Sequence, residues 1–194
     1  MIKFDCMPKD IIEIIYQIVK KECGKKTNYW GYSAFTHHFK DVYKNAQSLA
    51  KKLGADYEIC SLSALFHDFA CVHKNNDYEN HHLESGKLAE KILRKYNYPQ
   101  EKIELIKKCI YEHRASKNIK KTSLESKILA SADAMSHFQN IPDLFFMVYK
   151  IHNLKTDEGL DFVLKKLERS YKKLIPEAKK IIEPQYKAIK VLIK

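Results

Sequence analysis

Nine histidines stand in this chain of 194 residues, and several of them fall where an apolar side chain is expected. His38 comes four residues before Val42, at the edge of a stripe formed by Phe35, Phe39, Val42, Ala46, Leu49 and Leu53. His67 and Asp68 close the apolar run SALF. His82 continues the row 82, 86, 89, 93, and His113 extends the row Ile103, Ile106, Ile110. Asp133 follows Leu129 by four residues and adjoins Ala132. Residues three and four apart share a helix face, so these side chains should point inward. An ionised Asp is expensive to bury alone, and buried charges are paired or bind metal. A single inward His has an ordinary explanation as a hydrogen-bonded core residue. Four inward imidazoles and two carboxylates on separate predicted helices are better explained by a shared cation, as in bundle cores that build metal sites. Imidazole with carboxylate and no thiolate is a mixed nitrogen and oxygen donor set. It suits manganese, iron, cobalt, nickel or magnesium better than a closed structural zinc site, and it leaves coordination positions open for water and substrate.

The elements that must carry these residues read as helices throughout. Residues 8 to 22 place Ile11, Ile12, Ile14, Ile15, Ile18 and Val19 at helical spacing. The stripe from Phe35 to Leu53 predicts one long helix, with Gly54 as its stop. Ile59, Leu62, Leu65, Phe66 and Phe69 predict the next helix, followed by a polar loop, HKNNDYEN. Ala89, Ile92, Leu93 and Tyr96 mark a helix that ends before Pro99, and Ile103, Ile106 and Ile110 mark another. Thr122 or Ser123 can cap a helix carrying Leu124, Ile128, Leu129, Ala132 and Met135. Pro142 separates it from DLFFMVYKI. Asp157 can cap a C-terminal helical region that Pro176 and Pro184 should kink or divide. No segment alternates with a period of two. The expected fold class is all-α: a single helical-bundle domain over 1–194, with a metal-binding core near 30–140 and a C-terminal helical extension near 142–194.

Composition narrows the partners. Hydrophobic residues make up 45% of the chain, which argues for a globular core, and 5 Gly with 5 Pro are few for a turn-rich β protein. The formal charge is +11, but Arg stands only at 94, 114 and 169, so 32 of the 35 basic residues are Lys. These lysines are interleaved with Glu as on solvated helix faces, whereas a nucleic-acid groove would gather Arg. Nucleic acid is therefore not the expected partner, and the positive field suits an anionic small molecule. Cys6, Cys23, Cys60, Cys71 and Cys109 form no CxxC pair, which points to reduced thiols and a cytoplasmic protein. The start, MIKFDCMPKD, lacks signal-peptide features, and no apolar run reaches membrane-spanning length.

The ordered set HFKDV, ALFHDFA, HHLESGKLAEKIL, CIYEH and ESKILASADAM resembles the HD domain of metal-dependent phosphohydrolases over roughly residues 30 to 140. The resemblance implies that His38, His67, Asp68 and Asp133 hold one divalent metal. It also implies that two intermediate histidines help hold a second metal or contact a phosphate. By position these are His82 and His113. His81 rivals His82, which is preferred because Gly86 stands where a small residue usually follows; His37 rivals His38, which the step to Val42 favours. Two features depart from the pattern. Asp41 stands where many relatives have Arg, and no Glu follows the 67–68 doublet as in some nucleotidase relatives. The GYP signature of cyclic dinucleotide phosphodiesterases is absent.

The implied activity is hydrolysis of a phosphomonoester, phosphodiester or nucleotide by a metal-activated water. Asp68 would orient that water, His113 or His82 would donate a proton to the leaving oxygen, and Arg114 and Lys87 are candidates for phosphate contacts. The competing readings are a non-hydrolytic nucleotide-binding HD protein and a di-iron oxygenase of the same type. Elsewhere, His137 shares a face with Asp133 and can line the pocket. Trp30, Tyr29 and Tyr32 form an aromatic cluster that reads as packing or as a base-stacking platform, and Phe145, Phe146, Val148 and Tyr149 read as core cover or as a homodimer face.

Overall fold

A computed structural model describes residues 10–73, 79–114 and 119–192. Cys6 and the opening segment, most of the polar HKNNDYEN loop and residues 115–118 lie outside the described residues. Every regular element among the described residues is helical, and none of their helices is long and apolar enough to cross a membrane.

Helix α1 (Ile11–Cys23) is capped by the Asp10 carboxylate, which accepts from the Glu13 N–H at 3.1 Å. It buries Ile11, Ile15 and Val19, one residue per turn. The long helix expected after Gly24 begins as a π-helical turn (Ala34–Phe39) and continues as α2 (Lys40–Leu53). Phe35, Phe39, Val42, Ala46 and Leu49 are buried along it. Gly54 ends it in the left-handed region, φ +69°, a conformation that costs a Cβ-bearing residue and suits glycine.

The next expected helix is broken at the His67–Asp68 doublet. Its first part is α3 (Tyr57–Phe66), and Phe69 belongs to a separate short helix, α4 (Phe69–His73). Residues 59–66 are all buried, so α3 is apolar on every side and runs through the centre. Helix α5 (His81–Arg94) packs on α4 and on α6 (Gln100–Glu112), which in turn touches α3. Ser123, rather than Thr122, caps α7 (Leu124–Gln139) by accepting from the Ser126 N–H at 3.1 Å. Helix α7 packs on α2, α3 and α6 and is buried along most of its length.

Pro142 lies inside the first turn of α8 (Ile141–Phe146) instead of before it, where its missing N–H is no loss. A second π-helical stretch (Met147–Ile151) leads to α9 (Thr156–Lys173). Asp157 sits in the first turn of α9, and the Glu158 carboxylate accepts from the Lys155 N–H at 3.1 Å. Pro176 opens α10 (Pro176–Leu192), which continues through Pro184 without dividing. Both α9 and α10 pack on α7.

Candidate metal centre

The break between α3 and α4 places His67 and Asp68 beside the π-helical turn that leads into α2 and beside the interior of α7. His38 comes from the π-helical turn, where one widened turn displaces the side chains that follow from ordinary helical register. His38 Nε2 lies 2.9 Å from His67 Nε2, 3.5 Å from Asp68 Oδ2 and 3.9 Å from Asp133 Oδ1. His67 Nε2 lies 3.5 Å from Asp68 Oδ2. On the other side of the same carboxylate, Asp68 Oδ1 faces His81 Nε2 at 3.2 Å and His113 Nε2 at 3.5 Å. Two groups of donors result, His38 with His67 and Asp133, and Asp68 with His81 and His113; the ligand atoms in each lie within 4.8 Å of one another.

Hydrogen bonds on the far side of the rings fix which nitrogens face the centre. His67 Nδ1 is 2.8 Å from the Ala64 carbonyl and His113 Nδ1 is 2.5 Å from the Ile110 carbonyl. A carbonyl can only accept, so both rings carry the proton on Nδ1 and aim Nε2 at the cluster. Ser136 donates its hydroxyl to the Asp133 carbonyl at 2.7 Å, and its oxygen is left to accept from His38 Nδ1 at 3.1 Å. His38 and His67 therefore direct their Nε2 atoms at one point, where a proton on His38 or a cation is needed to relieve the repulsion. Asp68 Oδ1 is buried and makes no hydrogen bond among the described residues. An orphaned carboxylate oxygen among nitrogen lone pairs is the donor chemistry of a cation site, and these residues fit a divalent ion.

Electrostatics follow from burial and from these neighbours. Burial pushes the Asp68 carboxyl up, but His67, His81, His113 and His38 outweigh it and hold it well below the usual carboxylate range. Burial does the same at Asp133, where Lys173 is the largest opposing influence. Lys173 Nζ lies 2.6 Å from Asp133 Oδ2, and His137 Nε2 lies 3.7 Å from Oδ1. Burial takes the His67 imidazole down to about 4. At His38 burial also opposes a charge, yet Asp68 and Asp133 prevail and its pKa is raised.

The structure brings His38, His67, Asp68, His113 and Asp133 together, and it corrects two choices. His81, not His82, stands beside Asp68. The row 81, 85 faces α4, with Ser85 Oγ accepting from the Ala70 N–H at 3.0 Å. The row 82, 86 faces α6, where a Cβ on Gly86 would meet Lys107 at 3.8 Å. Both rows are buried, so burial alone could not choose between them. His82 Nδ1 instead lies 3.2 Å from Arg114 Nη1. His37 is exposed and hydrogen-bonds Thr36. Lys87 is a second correction: it lies on the surface, paired with Glu84 at 2.7 Å, because position 87 falls on the outer face of α5. Arg114 does line the cavity and is held by the Glu79 carbonyl and, at 3.1 Å, by its carboxylate. Asp41 accepts from Asn140 Nδ2 at 2.5 Å and so ties α2 to the end of α7.

The centre opens into a cavity of about 220 Å³ with Trp30, Leu144, Phe146 and Phe162 among its walls. His137 lines it and pairs through Nδ1 with Ser170 at 2.9 Å. Lys166, Arg169 and Lys173 of α9 also line it and were missed in the sequence. Their spacing of three and four residues was the available signal, hidden among many solvated lysines.

A family model described as HD domain matches residues 35–137. An uncharacterized protein of Clostridium beijerinckii is 32% identical over 141 residues, covering 70% of this chain and 84% of that protein. A crystal structure of an HD-superfamily hydrolase from Bacillus thuringiensis superposes with a TM-score of 0.70 at 19% identity, covering 94% of this chain and 92% of that one. A predicted HD superfamily hydrolase from an uncultured Thermotogales bacterium gives a TM-score of 0.55 at 22% identity over 80% and 84% of the two chains.

Proposed function

The chain belongs to the HD domain family, and from that premise we propose that it is a metal-dependent phosphohydrolase acting on a phosphomonoester, phosphodiester or nucleotide. The observation that carries this reading is Asp68, a partly buried carboxylate shared by two groups of imidazole donors, whose buried Oδ1 lacks a hydrogen bond among the described residues. His38, His67, Asp68 and Asp133 would hold one divalent ion, and Asp68, His81 and His113 a second. A bound divalent ion lowers the pKa of a coordinated water and polarises a phosphoryl oxygen. The nitrogen and oxygen donors favour manganese, iron, cobalt, nickel or magnesium.

The residues themselves have separable roles. Asp68 Oδ1 can accept a hydrogen bond from the attacking water and so orient it. His113, fixed through its Nδ1 bond to Ile110, and His81 flank that carboxylate, and where the second ion is not bound a protonated ring at either position can instead give its Nε2 proton to the leaving oxygen. Ser136 and Ala64 hold the His38 and His67 rings in the tautomers the site needs. The test is turnover of nucleotides and of an aryl phosphate by protein loaded in turn with manganese, cobalt, nickel and magnesium. Hydrolysis that Asp68→Asn reduces by about a thousandfold or more supports the reading. Protein shown to contain metal that turns over none of these substrates counts against it. In that event, tight nucleotide binding would indicate a sensor, and native iron with oxygen consumption would indicate an oxygenase.

A further inference from the structure

Helix α9 lies outside the segment matched to the family, yet it supplies one wall of the cavity. Its inner side is apolar at Val163 and Leu167, both buried, and cationic beside them at Lys166, Arg169 and Lys173. Lys173 is already committed to Asp133 at 2.6 Å. Lys166 is partly buried, and its ammonium group makes no hydrogen bond or ion pair among the described residues. Holding an ammonium with three donors partly out of water is unfavourable unless an acceptor meets it. Burial and the charge of Arg169 lower the Lys166 pKa, while Asp133 and Asp68 pull it back up, so the ammonium sits in the field of the two carboxylates of the centre. A divalent ion would cancel those two negative charges. Lys166 would then face a centre with no net negative charge, and a bound anion would compensate it. Arg169 is exposed at the mouth and Lys166 lies deeper, so the two cations can serve successive charges of one ligand.

Resting on the phosphohydrolase reading for its metal-bound state, we infer that Lys166 and Arg169 form an anion-binding wall and that the substrate is an oligophosphate, with one phosphate between the donor cluster and Lys166 and the next reaching Arg169.

The experiment is calorimetric titration with inorganic phosphate and with imidodiphosphate, a pyrophosphate analogue that resists hydrolysis. Both the metal-free protein and the protein holding manganese are titrated, and melting curves verify that each variant is folded. Imidodiphosphate should bind more tightly than phosphate. Lys166→Gln should weaken both by about tenfold to a hundredfold, as loss of a charge-assisted hydrogen bond does, and Lys166→Arg should restore most of the affinity. Arg169→Gln, an exposed change that leaves the core intact, should weaken imidodiphosphate alone, and Lys87→Gln should change neither. Unchanged affinity in Lys166→Gln, or a wild-type protein that does not distinguish the two probes, overturns the inference. If manganese fails to bind while the metal-free protein still shows the Lys166 dependence, the functional reading falls and the anion wall stands.

Discussion

Four imidazole nitrogens lie within 3.5 Å of the Asp68 carboxylate, two on each oxygen. Such crowding separates roles that sequence position leaves merged. His81→Ala removes a donor beside Asp68 Oδ1 and should lower manganese affinity and turnover by about tenfold to a hundredfold, the range seen when groups that support a metal are lost. His82→Ala should leave manganese affinity within about twofold and lower stability instead by about 1–3 kcal/mol, because Arg114 loses a buried partner. Titration of both variants with metal, alongside urea unfolding, checks the pair; equal losses of metal affinity would contradict the assignment. His67 makes a second residue-level prediction. Its folded pKa is about 4, below the roughly 6.5 of an unfolded histidine, so the unfolded chain takes up a proton that the folded one refuses. The contribution is whole above about pH 6.5 and is lost as pH falls toward 4, on the order of 3 kcal/mol in all. The urea midpoint of metal-free protein should drop between pH 7 and 4.5, and His67→Gln, whose amide can still reach the Ala64 carbonyl, should flatten that drop.

At the scale of elements, irregular helix carries much of the site. His38 lies in a π-helical turn, and the doublet lies in the gap between α3 and α4. The approach of α9 to the second π-helical stretch depends on Gly159. A Cβ there would meet Tyr149 Cε1 at 2.4 Å and Cζ at 3.0 Å. Tyr149 also stacks on Phe145 with ring centroids 5.8 Å apart and donates its hydroxyl to the Thr156 carbonyl at 3.1 Å. On helix propensity alone, Gly159→Ala would gain about 1 kcal/mol. Displacement of the Tyr149 ring should reverse the sign and leave the variant about 1 kcal/mol less stable. Denaturant unfolding decides it, and a stabilised variant would mean that Tyr149 swings aside without cost. Because α9 carries Lys166, the same change should also weaken phosphate binding.

Over the whole molecule, the centre joins helices distant in sequence: the π-helical turn leading into α2, the α3–α4 break, α5, the end of α6, α7 and, through Lys173, α9. An ion bound there stabilises the folded state but not the unfolded chain. At a free manganese concentration a hundred times the dissociation constant, the gain is about 2.7 kcal/mol. For a chain of this size that corresponds to a rise of roughly 5–10 °C in melting temperature, reversed by chelator. A melting temperature indifferent to manganese at that concentration would argue that the donors do not act together. The formal charge of +11 adds a long-range field that favours anionic ligands, and its effect on their association rate should fade with added salt.

The sequence by itself determined the helical class and the inward residues at the centre, because helical periodicity exposes polar groups that interrupt an apolar stripe. His38, the 67–68 doublet, His113 and Asp133 were legible in that way. Residues 81 and 82 were not distinguishable, since both rows of α5 are buried and only the packing of α4 on one side and α6 on the other tells them apart. The break that sets the doublet apart from Phe69 was hidden too, since its apolar run reads as one continuous helix. Lys166, Arg169 and Lys173 carry the same local signal as the solvated lysines around them, and only the docking of α9 beside the centre turns that face toward the cavity. Periodicity is a property of one helix, whereas convergence depends on how several helices pack, and that is decided in tertiary structure.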